Sequence, residues 1–180
     1  PMYEKVRVSN DWQVPFHAEK AVRLFIRFAE DIQPDRIILA GDILDFYEFS
    51  DFSRDPRTPA SFDTEIEQTK AFLGEIRKKC PKEQIDFLEG NHEFRLKSYL
   101  FKNAQRLAGS RIIREKIDLP ELLGLRSLKI TYHPCQVGTG RWGSVYVKVG
   151  ALYVGHFNAV KSWGGMTAKG LVDKLGVSVM

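Results

Sequence analysis

The run Arg36-Ile37-Ile38-Leu39-Ala40 constrains this chain more than any other stretch. Its unbroken apolar character leaves no polar face, which suits a strand covered on both sides, as in parallel sheets. Upstream, Lys5-Val6-Arg7-Val8-Ser9 alternates apolar and polar and reads as a strand. Ala18 to Ile32 reads as a helix with a wide apolar face, Ala21, Val22, Phe25, Phe28, Ala29 and Ile32, stopped by Pro34. Strand, helix, strand in this order predicts a right-handed crossover and a parallel pair. The segments that follow the strands, Asn10-Asp11-Trp12-Gln13 and Gly41-Asp42-Ile43-Leu44-Asp45, then emerge at one sheet edge. That carboxyl edge is where open α/β sheets bind ligands.

A third unit follows. Phe46 to Arg57 is aromatic and acidic without a period, a loop over the site or a short helix. Thr58-Pro59 has the form of an N-cap with proline at the first helical position. Phe62, Ile66, Leu73, Ile76 and Cys80 then keep helical spacing as far as Pro81. The strand Gln84-Ile85-Asp86-Phe87-Leu88 delivers Glu89-Gly90-Asn91-His92-Glu93 to the same edge, where a glycine beside asparagine permits a sharp turn. An amphipathic helix is expected from Phe94 to about Leu107, within a helical, basic stretch from Arg95 to Gly124 broken at Leu119-Pro120-Glu121. Its lysines and arginines read as a solvated face. From Ser127 the character changes to short strands, Leu128 to Tyr132, Ser144 to Val149 and Ala151 to Val154, expected to form a second, largely antiparallel sheet. The last of them runs into Gly155-His156-Phe157-Asn158. A helix from Met166 to Leu175 and a strand from Val177 to Met180 close the sequence.

A length of 180 residues suits one domain, and 43% hydrophobic with 28% charged residues describes a globular chain rather than a disordered one. The net charge of +4 is compatible with phosphate-bearing partners but far from the footprint of a dedicated DNA binder. Cys80 and Cys135 lack Cys-x-x-Cys spacing and are expected to be reduced packing residues of a cytoplasmic protein. No apolar run approaches ~18 residues, and Pro1-Met2-Tyr3-Glu4-Lys5 does not open a signal peptide, so no membrane partner is expected. His17, ahead of the first helix, reads as a surface or capping residue.

Strand ends thus carry Asp11 and Gln13, Asp42, Asn91 and His92, and His156. Asp-x-Gln alone is more readily an ordinary polar turn; carboxylates, an amide oxygen and imidazoles gathered at one edge suit a metal-assisted hydrolase. Asp11-x-Gln13, Gly41-Asp42-x-x-Asp45 and Gly90-Asn91-His92-Glu93, in this order, resemble the calcineurin-like metallophosphoesterase family, and the tail from Leu152 looks closest to its bacterial and phage branch. The resemblance implies two packed mixed β-sheets flanked by helices, a four-layer α/β sandwich forming one domain over residues 1–180. It also implies a phosphomonoesterase or phosphodiesterase, with nucleotides or nucleic acid among the substrates. Two divalent ions roughly 3.5–4 Å apart would clamp the reacting oxygens and supply hydroxide near neutral pH. Asp42 would bridge them, Asp11 and Gln13 would complete one site, and Asn91 and His156 the other. His92 would protonate the leaving oxygen or stabilise phosphoryl charge. Arg95 is a weaker candidate for phosphate contact, with pairing to Glu93 or solvent expected instead.

Two departures from the family pattern bear on the site. Gln13 stands where the family usually has histidine, which makes that site all-oxygen and favours manganese or magnesium over zinc, with iron also compatible. The family's closing Gly-His-x-His is absent. Either Gly155-His156-Phe157-Asn158 is a degenerate copy, with His133 as the preceding ligand, or His156 is the preceding ligand and the last motif belongs beyond Met180. The second is preferred, because a helix and strand such as 166–180 normally lead into that motif. A non-catalytic binding or scaffold member with an incomplete metal site is the competing expectation.

Overall fold

The computed structural model describes residues 4–53, 55, 57–135, 143–157 and 166–175. Strands β1 (Val6–Ser9), β2 (Arg36–Leu39), β3 (Gln84–Leu88) and β4 (Ile130–His133) form one parallel sheet in the order β1-β2-β3-β4. Helices α1 (Glu19–Ile32) and α2 (Phe62–Lys79) supply the first two crossovers. The third runs through α3 (Phe94–Asn103), α4 (Gln105–Gly109), α5 (Arg111–Ile117) and α6 (Leu119–Leu122). β5 (Val145–Val149) and β6 (Leu152–His156) pair antiparallel as a separate sheet, followed by α7 (Met166–Leu175). The fold is mixed α/β, and among the described residues no helix is long and apolar enough to cross a membrane.

The four-stranded sheet is apolar on both faces because each is covered. Ile37, Leu39, Ile85 and Phe87 pack with Val22, Phe25, Ile26 and Ala29 of α1 and with Phe72, Leu73 and Ile76 of α2. Ile38, Ala40 and Leu88 pack on the other face with Cys135, Val145 and Val147, so the small sheet lies there. Full burial of such side chains is worth about 1.5–3 kcal/mol each, which fixes strand register as firmly as the backbone ladder does. Cys80 and Cys135 are free and buried.

The expected strand Leu128 to Tyr132 does not join the second sheet. Its ordered part, β4, pairs parallel to β3, with Ile85 opposite Ile130 and Leu88 opposite His133. The connection through four helices explains this, since a long helical crossover returns a chain parallel to where it began. The expected helix from Phe94 is interrupted at Ala104, and Pro120 lies in the first turn of α6 rather than inside a continuing helix. On α1 the buried face is Val22, Phe25, Ile26 and Ala29; Phe28 is instead exposed, under the guanidinium of Arg7 at 4.1 Å from the ring centroid. His17 is not a surface residue, because its side chain is 7% exposed, bonded to Glu19 at 2.7 Å and set edge-on to Phe72. Val177 to Met180 lies outside the described residues.

Helix α2 starts later than Thr58-Pro59 suggests. Ser61 is its N-cap, accepting from Thr64 N at 3.2 Å, while Phe62 N donates to Glu48 Oε2 at 2.7 Å. Ser61→Ala is expected to cost ~1 kcal/mol, which lowers Tm by about 2–4 °C in a chain of this size. Thr58→Ala should stay within ~0.5 kcal/mol. Thermal unfolding of both variants discriminates, and equal losses would return the cap to Thr58.

Candidate metal centre

The parallel order brings the ends of β1, β2 and β3 to one edge, and β6 lays His156 across it. The loops after β1 and β2 zip together, with Asp11 N donating to Gly41 O at 3.1 Å, Gln13 N to Asp42 O at 3.0 Å and Val14 N to Ile43 O at 2.9 Å. Asp11, Gln13 and Asp42 hold φ of 54°, 53° and 54°, a left-handed conformation that non-glycine residues adopt at a cost of order 1–3 kcal/mol. Such strain gathered at one edge marks a place selected for something other than stability.

Glycines 41 and 90 let the loops meet. A Cβ on Gly41, at φ 88°, would fall 2.8 Å from His156 Nδ1, and one on Gly90 would strike Asp42. Gly90 is therefore required by close approach of its neighbours rather than by the sharp turn its sequence suggests, since it is not among the residues of positive φ. Glu93 anchors both loops. Its Oε1 accepts from Ile43 N at 2.7 Å and Leu44 N at 3.0 Å, and its Oε2 from Asp42 N at 2.9 Å and Gly90 N at 2.8 Å. Burial and the neighbouring Asp42 push its pKa up to about 7, against the pull of those backbone donors. The pairing of Arg95 with Glu93 is absent for this reason. Arg95 Nη1 instead binds Asp45 Oδ1 at 2.9 Å and Asp45 O at 2.8 Å.

Asp11, Asp42 and His156 each place a ligand atom within 4.8 Å of the others, a grouping able to hold a metal ion. His156 Nδ1 lies 3.0 Å from Ala40 O and donates there, which leaves a lone pair on Nε2. That lone pair faces Asn91 Oδ1 at 3.0 Å and Asp42 Oδ2 at 3.4 Å. Lone pairs converging at ~3 Å are what ligands ~2.1 Å from a shared ion require, and a backbone carbonyl orienting the other ring nitrogen is the usual support of a ligating histidine. The residues present therefore fit a divalent cation. Gln13 reaches the same edge through its backbone bond to Asp42 O.

His92 sits beside this group. Its N donates to Asp42 Oδ1 at 2.9 Å, its Nδ1 lies 3.3 Å from Asp45 Oδ2, and its Nε2 is 3.8 Å from Asp42 Oδ2 and 3.1 Å from Arg95 Nη2. Burial opposes its charge, but the Asp45 and Asp42 carboxylates outweigh burial and Arg95, so the imidazole pKa is raised. His133 is elsewhere. Its Nε2 meets the buried Asp86 at 2.6 Å, and Asp86 also binds Arg36 Nε at 2.7 Å, while Arg36 Nη1 reaches Lys148 O at 3.2 Å. This network ties β2, β3, β4 and β5 together. Burial works against the Asp86 carboxylate, yet His133 and Arg36 hold its pKa below the usual value. Asn158 lies outside the described residues.

Two functional residues escaped selection from the sequence although both stood inside the quoted motifs. Asp45 orients His92 and Arg95, and Glu93 braces the loops; the signal was their spacing, three residues after Asp42 and three after Gly90. No protein-family model matches the chain. It is similar to the Gene 54 protein of Mycobacterium phage D29, 29% identical over 109 residues that make up 59% of this chain and 42% of that protein. It is likewise similar to the Gene 54 protein of Mycobacterium phage L5, 27% identical over 108 residues with the same coverage of 59% and 42%. The chain thus spans less than half the length of the curated relatives it matches.

Proposed function

We propose that this chain is a metal-dependent phosphoesterase of the calcineurin-like type, a hydrolase of phosphomonoester or phosphodiester bonds whose two sheets form that family's sandwich. Asp11, Gln13, Asp42, Asn91 and His156 are its ligands for two divalent ions, manganese before magnesium, iron or zinc. The observation that supports it most is the convergence of Asp42 Oδ2 and Asn91 Oδ1 on the lone pair of His156 Nε2, at 3.4 and 3.0 Å.

Bound divalent ions supply an activated water and neutralise charge on the phosphoryl group. The chain's own residues do the rest. His156 is held by Ala40 O in the tautomer that turns the Nε2 lone pair towards Asn91 Oδ1 and Asp42 Oδ2. Asp42 turns Oδ2 inward while Oδ1 accepts from His92 N, which fixes His92 relative to the ligand set. Asp45 faces His92 Nδ1, so Nε2 is the atom directed into the site, where it accepts from Arg95 Nη2 at 3.1 Å. Once Arg95 turns to a phosphoryl oxygen, the protonated ring delivers its Nε2 proton to the leaving oxygen. Arg95, locked onto Asp45, directs Nη2 to the same place, available to a phosphoryl oxygen.

Nitrophenyl mono- and diesters, nucleotides and DNA assayed with manganese test this. Wild type should hydrolyse at least one class in a metal-dependent manner. His92→Ala should keep its metal and lose ~10²–10⁴ in rate, the usual span for a missing acid. The loss should shrink with a leaving group that needs no proton; a loss that persists assigns His92 to phosphoryl charge instead. The competing reading, a binding or scaffold member, draws on the fact that Asp11, Asp42 and His156 provide for one ion. Metal-loaded protein inert across the whole panel would favour it.

A further inference from the structure

We propose that the metal centre is flanked by a nucleobase-stacking clamp, in which Phe16 with Tyr47 on one side and Tyr146 with Phe157 on the other hold bases of a single-stranded nucleic acid. This rests on the phosphoesterase reading and narrows its substrate to a phosphodiester polymer.

Phe16 follows Gln13 by a tight turn, Phe16 N donating to Gln13 O at 2.7 Å, and is 49% exposed. Its ring meets Tyr47 edge-on at 5.4 Å. Tyr47 is fixed in turn, its N donating to Glu65 Oε1 at 3.1 Å and its hydroxyl accepting from Asp55 N at 2.8 Å. The loops that present the candidate ligands thus also present this aromatic pair.

The second pair comes from the other face of the main sheet. Val145 and Val147 pack inward, so alternation turns Tyr146 and Lys148 outward, with Tyr146 45% exposed. Tyr146 stacks on Phe157 at 6.1 Å and 17° between ring planes, and Phe157 directly follows His156. Gly155 is paired with Tyr146, and a Cβ there would strike the Tyr146 backbone and Cβ. Gly155 therefore lets β6 approach the β5 backbone closely at Val145 O and Tyr146. Lys148 lies over Tyr153 at 5.7 Å, a cation beside the platform for a backbone phosphate.

Cross-strand aromatic pairs stabilise hairpins, which accounts for the contact of Tyr146 with Tyr153 but not for two half-exposed rings tied in sequence to opposite sides of one ligand set. Every base has a π-face, and stacking on an aromatic side chain is worth roughly 1–3 kcal/mol per base. One pair is borne by the loops at the edge of the main sheet and the other by the small sheet on its second face, so the occupant proposed for both is an extended strand crossing the edge rather than one base. The net charge of +4 is compatible with such a polyanion.

A labelled oligothymidylate of about 12 nucleotides, within the usual site size, tests the clamp by fluorescence anisotropy in EDTA, where cleavage does not intrude. Wild type should bind, with affinity falling as salt rises. Phe16→Leu and Tyr146→Leu should each weaken binding about tenfold or more, Phe16→Trp should retain it, and Leu24→Ala, 66% exposed on α1, should bind as wild type. Thermal unfolding identifies any variant that fails to fold. Absence of wild-type binding, or folded leucine variants that bind like wild type, overturns the clamp. Hydrolysis of a small diester without oligonucleotide binding removes the clamp and leaves the phosphoesterase; binding without hydrolysis of any ester leaves the clamp and removes the phosphoesterase.

Discussion

Glu93→Ala is expected to destabilise the protein by about 3–6 kcal/mol, with Tm falling by roughly 10 °C or more. The carboxylate receives four backbone N–H groups, from Asp42, Ile43, Leu44 and Gly90, all in buried surroundings. Each buried donor left without a partner costs about 1–3 kcal/mol, and water entering the vacated volume recovers part of the sum. Glu93→Gln separates this account from lost packing. One amide oxygen can replace Oε1 or Oε2, but the NH₂ group must then face two N–H donors. Glutamine should therefore recover about half of the alanine loss and no more. A glutamine variant as stable as wild type would sink the bracing role.

The βα units were legible because their causes are local. Ile37 to Leu39 is apolar without interruption, Ile85, Phe87 and Leu88 are apolar around Asp86, and the helical spacing between them leaves little choice but parallel pairing. That pairing alone sends Asp11, Asp42 and Asn91 to one edge, so most of the site followed from topology rather than from any motif in isolation. The misreadings share a different cause, since each depended on partners distant in sequence. β4 resembles the strands that follow it, yet its neighbour is β3, chosen by a crossover of helices. His133 is already the less favoured ligand in the sequence, but nothing in Thr131-Tyr132-His133 announces the Asp86 that holds it in a bridge between sheets. Ser61 prevails over Thr58 because it accepts from Thr64 N while Glu48, from the short 3-10 helix Tyr47–Phe49, accepts from the amide of Phe62. Glu93 reads as a partner for Arg95 until Gly41 and Gly90 bring two loops within reach of it.

Asp42→Asn is expected to remove metal binding and activity together while leaving the metal-free protein at least as stable as wild type. Asp42 is 3% exposed and sits beside Glu93, whose pKa it helps to raise, so the two carboxylates repel one another without a cation. Asparagine keeps what the fold needs there. It tolerates the left-handed φ of 54°, and its Oδ1 can still accept from His92 N. Its Nδ2 can donate to the Nε2 lone pair of His156, now 3.4 Å from Oδ2, which replaces an unfavourable approach by a hydrogen bond. The same exchange removes one of the two carboxylates of the candidate ligand set, the one proposed to be shared by both ions. Wild type should gain about 2.7 kcal/mol at a manganese concentration one hundredfold above Kd, seen as a rise in Tm of several degrees, whereas Asp42→Asn should show no rise. Its rate should fall by more than the ~10²–10⁴ expected for His92→Ala, because the whole ligand set is affected rather than one proton transfer. A manganese-induced Tm shift that persists in Asp42→Asn would show that the ion is held without this carboxylate. A large drop in metal-free Tm would show instead that Asp42 is a structural residue, and that the strain at this edge serves the fold and not a metal.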